Sequence, residues 1–553
     1  MPDQTESADY IVVGGGLTGC AVASRLSQSP QSPSVILLEA GPDPAGNEAA
    51  AGLLSGLSLQ GGEFDYAYQS EPEPNTANRV HTLNAGKVLG GGSILNYGGW
   101  LHSDRKDYDD WAGVVGDERW SYQGLLPWLR KSEKFHHPKE TPGSEQYGTD
   151  GPMHVFPVSA CESEGAGRKY LLREHVKDAW LQLGVEPNFD KKGGSIRGLT
   201  EMYENADEQG MRQPAQKAYP LDKVDVRTNT PVAKVIFSGK TATGVELLDG
   251  SKITANKEVI LAAGTYRTPH LLMLSGVGPS ATLSEHGIPV VHDAPDVGTN
   301  LHDHFAVYFA FRLRDPSLGY GFGSNHEAWT KNPALFKYLP WDWVVSEPIP
   351  SELRAKHGES ESDEEARNLY EVISLYVPPG IPGIPMDGTH IATSTMLLRP
   401  TSRGSVSIRS AKADDPPRIK PSYLQTDLDR DTLVHAARKT LKAFLQTDAL
   451  KGIVEQESPP HFPGLEGKLE PLGPNSTDEQ IEARIRQTGS QHHHSGGTAA
   501  MGKVVDTQGK VLGVEGLRVV DASIVPIPLG GHPQATLYAL AEQIASLMLN
   551  ERN

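Results

Sequence analysis

Tyr10-Ile-Val-Val-Gly-Gly-Gly-Leu-Thr-Gly-Cys20 is the stretch of sequence that decides the fold. Its first four residues are typical of a buried strand, and a helical pattern of apolar residues follows the glycines over positions 21–26. A second apolar run, Val35-Ile-Leu-Leu38, ends directly before Glu39. A strand, a glycine-rich turn, a helix and a second strand within about thirty residues form the mononucleotide-binding βαβ unit. The stretch therefore predicts an α/β fold with a Rossmann-like domain.

The spacing of the glycines indicates what the turn binds. Gly14, Gly16 and Gly19 form the pattern G-x-G-x-x-G, which combines a tight turn, room for a pyrophosphate and close packing of helix on strand. An anion is favoured at the helix N-terminus by free N–H groups and by the helix dipole. Glu39 is spaced to accept hydrogen bonds from the adenosine ribose, which favours FAD or NAD over NADP. The predicted cofactor contacts at this end are Gly14, Gly16, Leu17, Thr18, Gly19, Glu39 and Ala40.

Length and composition exclude several classes of protein. A chain of 553 residues is too long for one ordinary core, so we expect at least two domains. The net charge of −18 argues against a nucleic-acid partner and disfavours an anionic membrane surface. No apolar stretch is long enough to cross a membrane, and the polar residues before Tyr10 contain no signal segment, so a cytoplasmic protein is expected. The two cysteines, Cys20 and Cys161, cannot form a disulfide framework.

The order of the apolar segments predicts a nucleotide domain in several pieces. Glu258–Ala263 and Leu517–Val520 have the character of buried parallel strands. Between them, residues 306–490 differ, with aromatic residues at strand-like spacing and in a cluster. Residues 42–80 are predicted to form a long excursion from the nucleotide domain that acts as a lid or interface segment. Long segments without periodicity inside a domain commonly have that role. The class is α/β (α+β overall), with 1–155, 222–305 and 490–553 in the nucleotide domain and 156–221 and 306–489 in an inserted domain.

Four further motifs resemble those of a known family. The first is Gly86-Lys-Val-Leu-Gly-Gly-Gly-Ser-Ile-Leu-Asn96, and the second is Gly264-Thr-Tyr-Arg-Thr-Pro-His-Leu-Leu-Met-Leu-Ser-Gly-Val-Gly278. The third is Pro295-Asp-Val-Gly-Thr-Asn-Leu-His-Asp-His304. The fourth is a C-terminal block that contains His494-Ser-Gly-Gly-Thr-Ala-Ala-Met501 and Gly513-Val-Glu-Gly-Leu-Arg-Val-Val-Asp-Ala-Ser523. Together they resemble the signatures of the glucose–methanol–choline (GMC) oxidoreductases, and the resemblance covers nearly the whole chain.

This resemblance implies FAD in the Rossmann-like domain and an inserted substrate-binding domain built on an antiparallel sheet with helices. Some family members attach FAD covalently through a histidine just before the asparagine of the first motif. That position is Leu95 here, so the resemblance implies non-covalent FAD. Asp296 departs from the glycine usual in the third motif, which leaves the geometry of that turn open. The further cofactor contacts implied by the resemblance are Val88, Gly91, Ser93, Asn96, Val232, Asp521, Ala522, Pro533 and Gln534.

Alcohol oxidation by a flavin needs a base for the hydroxyl proton and a carbon that faces flavin N5, so that hydride can leave. Neutral histidine suits the base, since its pKa lies near the operating pH. The resemblance implies His494 as the base and His532 as its partner on the substrate oxygen, where positive charge would stabilise an alkoxide. A metal site at the triplet 492–494 is disfavoured, because adjacent side chains point apart and no Cys or acidic partner has ligand spacing. An alternative assigns the base one or two positions earlier in the triplet, to His493 or His492. His302 and His304 are predicted to be structural.

The predicted partners are small molecules. The substrate is expected to be a primary or secondary alcohol. The aromatic residues of 305–343 suit an aromatic or hydrophobic one, although the pattern favours a place for them in the core of the inserted domain. O₂, a quinone or another carrier would reoxidise the flavin, and the chain would act as a monomer or homodimer. Two other functions stay open. One keeps FAD structurally for non-redox lyase or cyclase chemistry in a biosynthetic pathway, and the other is a flavoprotein that only binds.

Overall fold

The computed structural model describes residues 6–136, 146–160, 168–189, 194–207, 209–336, 338–359, 362, 365–462 and 469–550. The N-terminal βαβ unit has the predicted form, with a strand over Glu6–Val13, a helix over Leu17–Ser27 and a strand over Val35–Leu38. Cys20 is a buried free thiol, and Cys161 lies outside the described residues. Helices and strands occur throughout the described residues, so the fold is mixed α/β as the sequence predicts.

The strands and helices of the described residues are numbered in chain order. The strands are β1 (Glu6–Val13), β2 (Val35–Leu38), β3 (Tyr68–Gln69), β4 (Thr82–Leu83), β5 (Glu133–Phe135), β6 (Met153–Pro157), β7 (Gly198–Glu201), β8 (Tyr203–Asn205), β9 (Asp225–Arg227), β10 (Val232–Ser238), β11 (Thr241–Leu247), β12 (Lys252–Leu261), β13 (Val277–Gly278), β14 (His292–Asp293), β15 (Phe305–Leu313), β16 (Trp341–Glu347), β17 (Tyr370–Leu375), β18 (His390–Leu397), β19 (Ser405–Ser407), β20 (Arg418–Lys420), β21 (Val454–Ser458), β22 (Ser490–Gln491) and β23 (Leu517–Val519). The helices are α1 (Leu17–Ser27), α2 (Glu48–Ala51), α3 (Gly92–Leu95), α4 (Arg105–Val115), α5 (Tyr122–Ser132), α6 (Arg173–Gln182), α7 (Ala215–Ala218), α8 (Gly264–Leu274), α9 (Ser280–Glu285), α10 (Glu327–Lys331), α11 (Ser351–Lys356), α12 (Asp427–Leu445), α13 (Asp478–Thr488) and α14 (Pro533–Asn550).

The first sheet has seven strands in the order β10-β11-β12-β1-β2-β9, with β23 also paired to β12. The pairs β1–β2, β1–β12, β2–β9 and β12–β23 are parallel, whereas β10, β11 and β12 pair in antiparallel fashion. In the parallel registers Val13 lies opposite both Leu38 and Leu261, and Leu261 lies opposite Val519. Parallel strands end at the same edge of a sheet. The loops that follow β1, β2, β12 and β23 therefore open onto one edge.

Two buried helices complete the core around the first sheet. Nearly every residue of α1 is buried, because α1 packs in one hydrophobic core with β1, β2 and α14. Burial of an aliphatic side chain such as Leu26 or Ile544, both fully buried, contributes about 1.5–3 kcal/mol. An ion pair joins the helices, since Arg25 Nη2 lies 2.6 Å from Oε1 of the fully buried Glu542. These contacts hold the N-terminus of α1 at the carboxyl edge of the sheet.

The second sheet is antiparallel, as the resemblance implies. Its seven strands run in the order β21-β15-β18-β17-β16-β7, with β22 also paired to β15. Helix α12 covers one face of this sheet and buries apolar residues such as Leu433 and Leu441. Phe444 of the same helix stacks on Phe311 of β15, with ring centroids 4.6 Å apart. This sheet forms a second hydrophobic core, separate from the first.

The segments of the predicted domain map contribute to the two sheets unequally. Strands β9 to β12 and β23 lie in the first sheet, and β7, β15 to β18 and β21 lie in the second. Strand β22, at the start of the segment 490–553, pairs with β15 of the second sheet. Residues 42–80 contain α2, β3 and two short 3₁₀ turns, and β3 pairs with β4. The exact domain bounds stay a prediction.

Candidate active site

One cavity of about 340 Å³ connects the glycine-rich turn with the predicted histidines. It lies at the carboxyl edge of the first sheet and reaches residues of the second sheet at Tyr308 and Trp341. The predicted site residues in its lining are Gly14, Gly16, Leu17, Thr18, Glu39, Ala40, Gly91, Asn96, Val232, His494, Ala522, His532, Pro533 and Gln534.

Four other predicted contacts lie behind the lining of the cavity. Gly19 and Val88 are packing residues, and Val88 belongs to a small hydrophobic cluster. The hydroxyl of Ser93 donates to the Gly90 carbonyl at 2.6 Å. Asp521 follows β23, and its carboxylate accepts hydrogen bonds from the Gly264 N–H at 2.9 Å and from the Thr268 hydroxyl. Ser93 and Asp521 therefore shape the cavity wall by fixing neighbouring backbone.

The three glycines of the turn have the separate roles that their spacing predicts. Gly14 has a φ of +107°, and a Cβ added there would lie 2.4 Å from the Ala262 carbonyl oxygen. A Cβ on Gly19 would lie 1.9 Å from the Gly14 carbonyl oxygen, so α1 could not approach the strand as closely. A Cβ on Gly16 would meet no protein atom within 4 Å. Gly16 thus leaves open space at the N-terminus of α1, where an anion is stabilised.

Glu39 holds the turn and presents its carboxylate to the cavity. The Gly15 N–H donates to Oε2 and the Gly41 N–H donates to Oε1, each at 2.8 Å. Burial raises the pKa of Glu39 to about 7, and the two N–H donors oppose that rise. Each carboxylate oxygen has a further lone pair, which leaves Glu39 able to accept hydrogen bonds from ribose hydroxyls.

The lining residues fit FAD. The N-terminus of α1 has no side-chain cap, so its N–H groups remain available for a pyrophosphate beside Gly16. At the far end of the cavity, Gln534 Nε2 is buried without a hydrogen-bond partner among the described residues. Such an atom is expected where a ligand supplies the missing acceptor. Leu95 is a buried aliphatic residue that offers no atom for covalent attachment.

His494 belongs to a chain of hydrogen bonds that fixes its tautomer. His304 Nε2 lies 2.9 Å from the carbonyl oxygen of Leu529, which only accepts, so this nitrogen carries the proton. His304 Nδ1 then accepts from His494 Nδ1, which lies 2.9 Å away. Nε2 of His494 is consequently left without a proton, and no described residue hydrogen-bonds to it.

Electrostatics keep both imidazoles neutral. Burial lowers the pKa of His304 to about 3, and it lowers the pKa of His494 well below its ordinary value. The preceding residue of the third motif adds a backbone contact, since Asp303 Oδ1 accepts the His494 N–H at 2.8 Å. Sequence reasoning treated His304 as structural, and the structure places it in direct contact with His494. Consecutive residues of one motif thus orient the backbone and the side chain of His494.

His532 has a buried carboxylate partner that sequence reasoning missed. Its Nε2 lies 2.9 Å from Oε1 of Glu371, which is fully buried, and Oε2 of Glu371 has no hydrogen-bond partner among the described residues. The ring centroids of His532 and His494 are 5.0 Å apart. Glu371 lies on β17, in the otherwise apolar or neutral run Tyr370-Glu-Val-Ile-Ser-Leu375. A lone acidic residue inside such a strand is the signal that would have identified it.

The other two histidines of the triplet have different surroundings. His492 Nε2 contacts the Ser394 hydroxyl at 3.2 Å, and His493 has a φ of +62°. Both line the cavity, and the His492 backbone N–H donates to the His304 carbonyl at 2.9 Å, but the His304 ring hydrogen-bonds to His494. No three His, Cys, Asp or Glu side chains of the described residues are arranged to hold a metal ion.

The wall nearest the second sheet is largely aromatic. Tyr97, Tyr308 and Trp341 line it, and Gln60 Nε2 donates to the Tyr97 hydroxyl at 2.6 Å. Of the aromatic residues predicted as candidates in 305–343, Tyr308 and Trp341 face the cavity. Most of the others, including Phe309, belong to the second hydrophobic core.

No helix in the described ranges is long and apolar enough to cross a membrane.

A Rossmann-like sheet with a glycine-rich turn, joined by one cavity to a pair of histidines, defines a dinucleotide-dependent oxidoreductase. Comparison with known proteins identifies the family. The GMC oxidoreductase family models match residues 8–306 (N-terminal part) and 400–541 (C-terminal part). The chain belongs to the GMC oxidoreductase family, whose members bind FAD.

Relatives match over almost the full length of the chain. The GMC-type oxidoreductase acuG of Aspergillus aculeatus is 38% identical, over 99% of both chains. An oxygen-dependent choline dehydrogenase of Escherichia coli is 31% identical, over 98% of this chain and 95% of its own. The solved structure of a formate oxidase variant from Aspergillus oryzae has a TM-score of 0.86 and 27% identity, over 99% of this chain and 98% of its own.

Proposed function

We propose that this protein oxidises a primary or secondary alcohol to the corresponding carbonyl compound, with His494 as the general base. The observation that carries the proposal is the unprotonated Nε2 of His494, a residue that lines the cavity. It results from the hydrogen bonds that join Leu529, His304 and His494. An imidazole that is neutral at pH 7 and has one fixed, unprotonated nitrogen is suited to take a hydroxyl proton. Bound FAD supplies the acceptor for the hydrogen and two electrons that leave the alcohol carbon.

His532 would hold the substrate oxygen beside His494. The Glu371 carboxylate accepts the hydrogen bond from His532 Nε2 and so fixes the orientation of that ring. A buried carboxylate also stabilises positive charge on the neighbouring imidazole, and such charge favours the alkoxide that forms as the proton leaves. The chain thus supplies a base and an oxyanion-stabilising group within one wall of the cavity.

The lining supports an aromatic or otherwise hydrophobic alcohol. Tyr97, Tyr308 and Trp341 offer three aromatic faces close to the histidines, and aromatic rings pack well on such surfaces. The reduced cofactor would pass its electrons to O₂, a quinone or another carrier. The choline dehydrogenase among the relatives carries an alcohol substrate in its name, which is consistent with an alcohol here.

The test is an anaerobic panel of aromatic and aliphatic primary and secondary alcohols added to the FAD-loaded protein. A substrate is expected to bleach the flavin absorbance near about 450 nm, because electrons leave the alcohol only through the cofactor. An acceptor panel with O₂ and quinones then restores the colour. Turnover of a compound with persistent yellow colour would instead identify non-redox lyase or cyclase chemistry and would overturn the proposal.

A further inference from the structure

Arg212 is a buried cation beside the cofactor cavity. It is 3% exposed, and all its hydrogen-bond acceptors are neutral. Nε and Nη2 donate to the Gly52 carbonyl at 3.3 and 3.1 Å, and Nη1 donates to the Ser93 carbonyl at 3.0 Å and to Asn96 Oδ1 at 2.9 Å. None of the described carboxylates forms an ion pair with it.

Three other buried arginines of the described chain have counter-charges. Arg168 pairs with Glu204, Arg484 with Glu457 and Arg518 with Glu258. A buried charge without a partner costs several kcal/mol, so proteins rarely keep one without a reason. Burial lowers the pKa of Arg212 to about 9, which still leaves the guanidinium protonated at neutral pH. The missing negative charge is therefore expected from a bound group.

A hydrogen-bonded relay leads from Arg212 to the cavity. Asn96 accepts from Arg212 through Oδ1 and donates through Nδ2 to Gln534 Oε1, at 2.5 Å. Asn96 and Gln534 both line the cavity, whereas Arg212 lies one residue behind them. Gln534 lies two residues after His532, so the relay reaches the histidine end of the cavity, where the resemblance implies cofactor contacts at Pro533 and Gln534. Arg212 thus polarises two amides that line the histidine end of the cavity.

We propose that Arg212 is the fixed counter-charge for the reduced flavin and that it raises the reduction potential of the bound cofactor. Oxidised flavin is neutral at its ring, and the addition of two electrons and one proton leaves the ring with a charge of −1. A cation in a low-dielectric site stabilises this product and not the neutral reactant, so it shifts the equilibrium toward reduction. The inference rests on FAD binding and holds whether or not an alcohol is the substrate.

The experiment measures the midpoint potential of the bound flavin by anaerobic titration with a reductant and a reference dye. Arg212→Gln removes the charge and is expected to lower the reduction equilibrium constant at least about tenfold, which is about 30 mV for a two-electron couple. Arg212→Lys keeps the charge and should lose less. The control is Arg79→Gln, since Arg79 also bonds only to carbonyls, those of Thr76 and Gly489, and these residues do not line the cavity.

Equal potentials in wild type, Arg212→Gln and Arg79→Gln would overturn the proposal. If Arg212→Gln does not retain FAD, the pH dependence of the midpoint potential is measured on the wild-type protein instead. An anionic reduced flavin takes up one proton per two electrons, so the potential should rise by about 30 mV per pH unit as the pH is lowered from 8 to 5.5. A slope of about 59 mV per unit, which corresponds to two protons, would show that no cation holds the reduced ring anionic.

Discussion

The two ends of the cavity are built in different ways. At the turn end, Gly14, Gly16 and Glu39 come from one short stretch and act through backbone geometry and a single carboxylate. At the histidine end, side chains such as His304 and Glu371 come from separate segments of the chain and reach their histidine partners only in the folded chain. A site made of backbone is encoded locally, whereas a site made of side-chain contacts depends on the whole fold.

The largest expected effect tests the histidine end. His494→Ala removes the base and should lower kcat/KM by about 10²- to 10⁴-fold, since general-base catalysis contributes on that scale. The variant should stay yellow, because its FAD contacts at the turn are intact. His493→Ala is the matched control from the same triplet and should retain most activity. Steady-state kinetics decide, and a larger loss in His492→Ala or His493→Ala would move the base to that position.

The next prediction compares two glycines at the turn end of the cavity, one that allows close packing of α1 and one that leaves space for the cofactor. Gly19→Ala places a Cβ 1.9 Å from the Gly14 carbonyl oxygen and should cost about 3 kcal/mol of the free energy of unfolding. Gly16→Ala meets no protein atom within 4 Å, so the apoprotein should melt like wild type while FAD binds more weakly. Thermal melting and flavin fluorescence measure the two quantities. Equal destabilisation by both substitutions would contradict the separate roles of these glycines.

A smaller effect concerns the partner of His532. Glu371→Gln keeps a hydrogen-bond acceptor but removes the charge, so kcat should fall about 10- to 100-fold, as expected for the loss of a charge-assisted hydrogen bond. FAD content should stay unchanged, because Glu371 does not line the cavity. An unchanged kcat would show that the carboxylate only orients the ring.

The smallest expected effect is the change of kcat/KM with pH near neutrality. Burial and neighbouring histidines lower the pKa of His494 below its ordinary value of 6.5, so the base is already neutral at pH 6.5. As the pH falls through that lowered pKa the imidazole gains a proton and the rate is lost, whereas kcat/KM should vary less than about twofold between pH 6.5 and 8. The pH profile, taken where circular dichroism shows an intact fold, checks this. A half-maximal rate at pH 6.5 or above would contradict it.

Local signals explain what could be predicted from the sequence. The βαβ unit, the roles of Gly14, Gly16 and Gly19 and the position of Glu39 depend on residues within one short segment, so spacing alone indicates them. The family resemblance extended the prediction to FAD and to an antiparallel second sheet, which comparison and structure confirm. The assignments of His494 and His532 stay predictions, and the structure brings the two rings to 5.0 Å.

Long-range contacts explain what could not be predicted. Glu371 becomes the partner of His532 only because β17 lies beside the C-terminal loop in the folded chain. His304 becomes the partner of His494 through a contact between distant segments, and Arg212 reaches the cavity through Asn96. No spacing rule in the sequence connects these pairs, since each contact joins segments that are distant in sequence.

The pairing of β12 with both β1 and β23 has a consequence for biosynthesis. β1 is made early, but its sheet is completed only when β23, which ends at Val519, has been made, and the core around it only when α14 follows. Contacts between such distant segments slow folding, and the unpaired edge of an incomplete sheet favours aggregation. The nascent chain therefore carries its glycine-rich turn through most of translation before a cofactor can be held. We therefore expect expression yield to depend on chaperones and on FAD supply more than on the affinity of the glycine-rich turn for the cofactor.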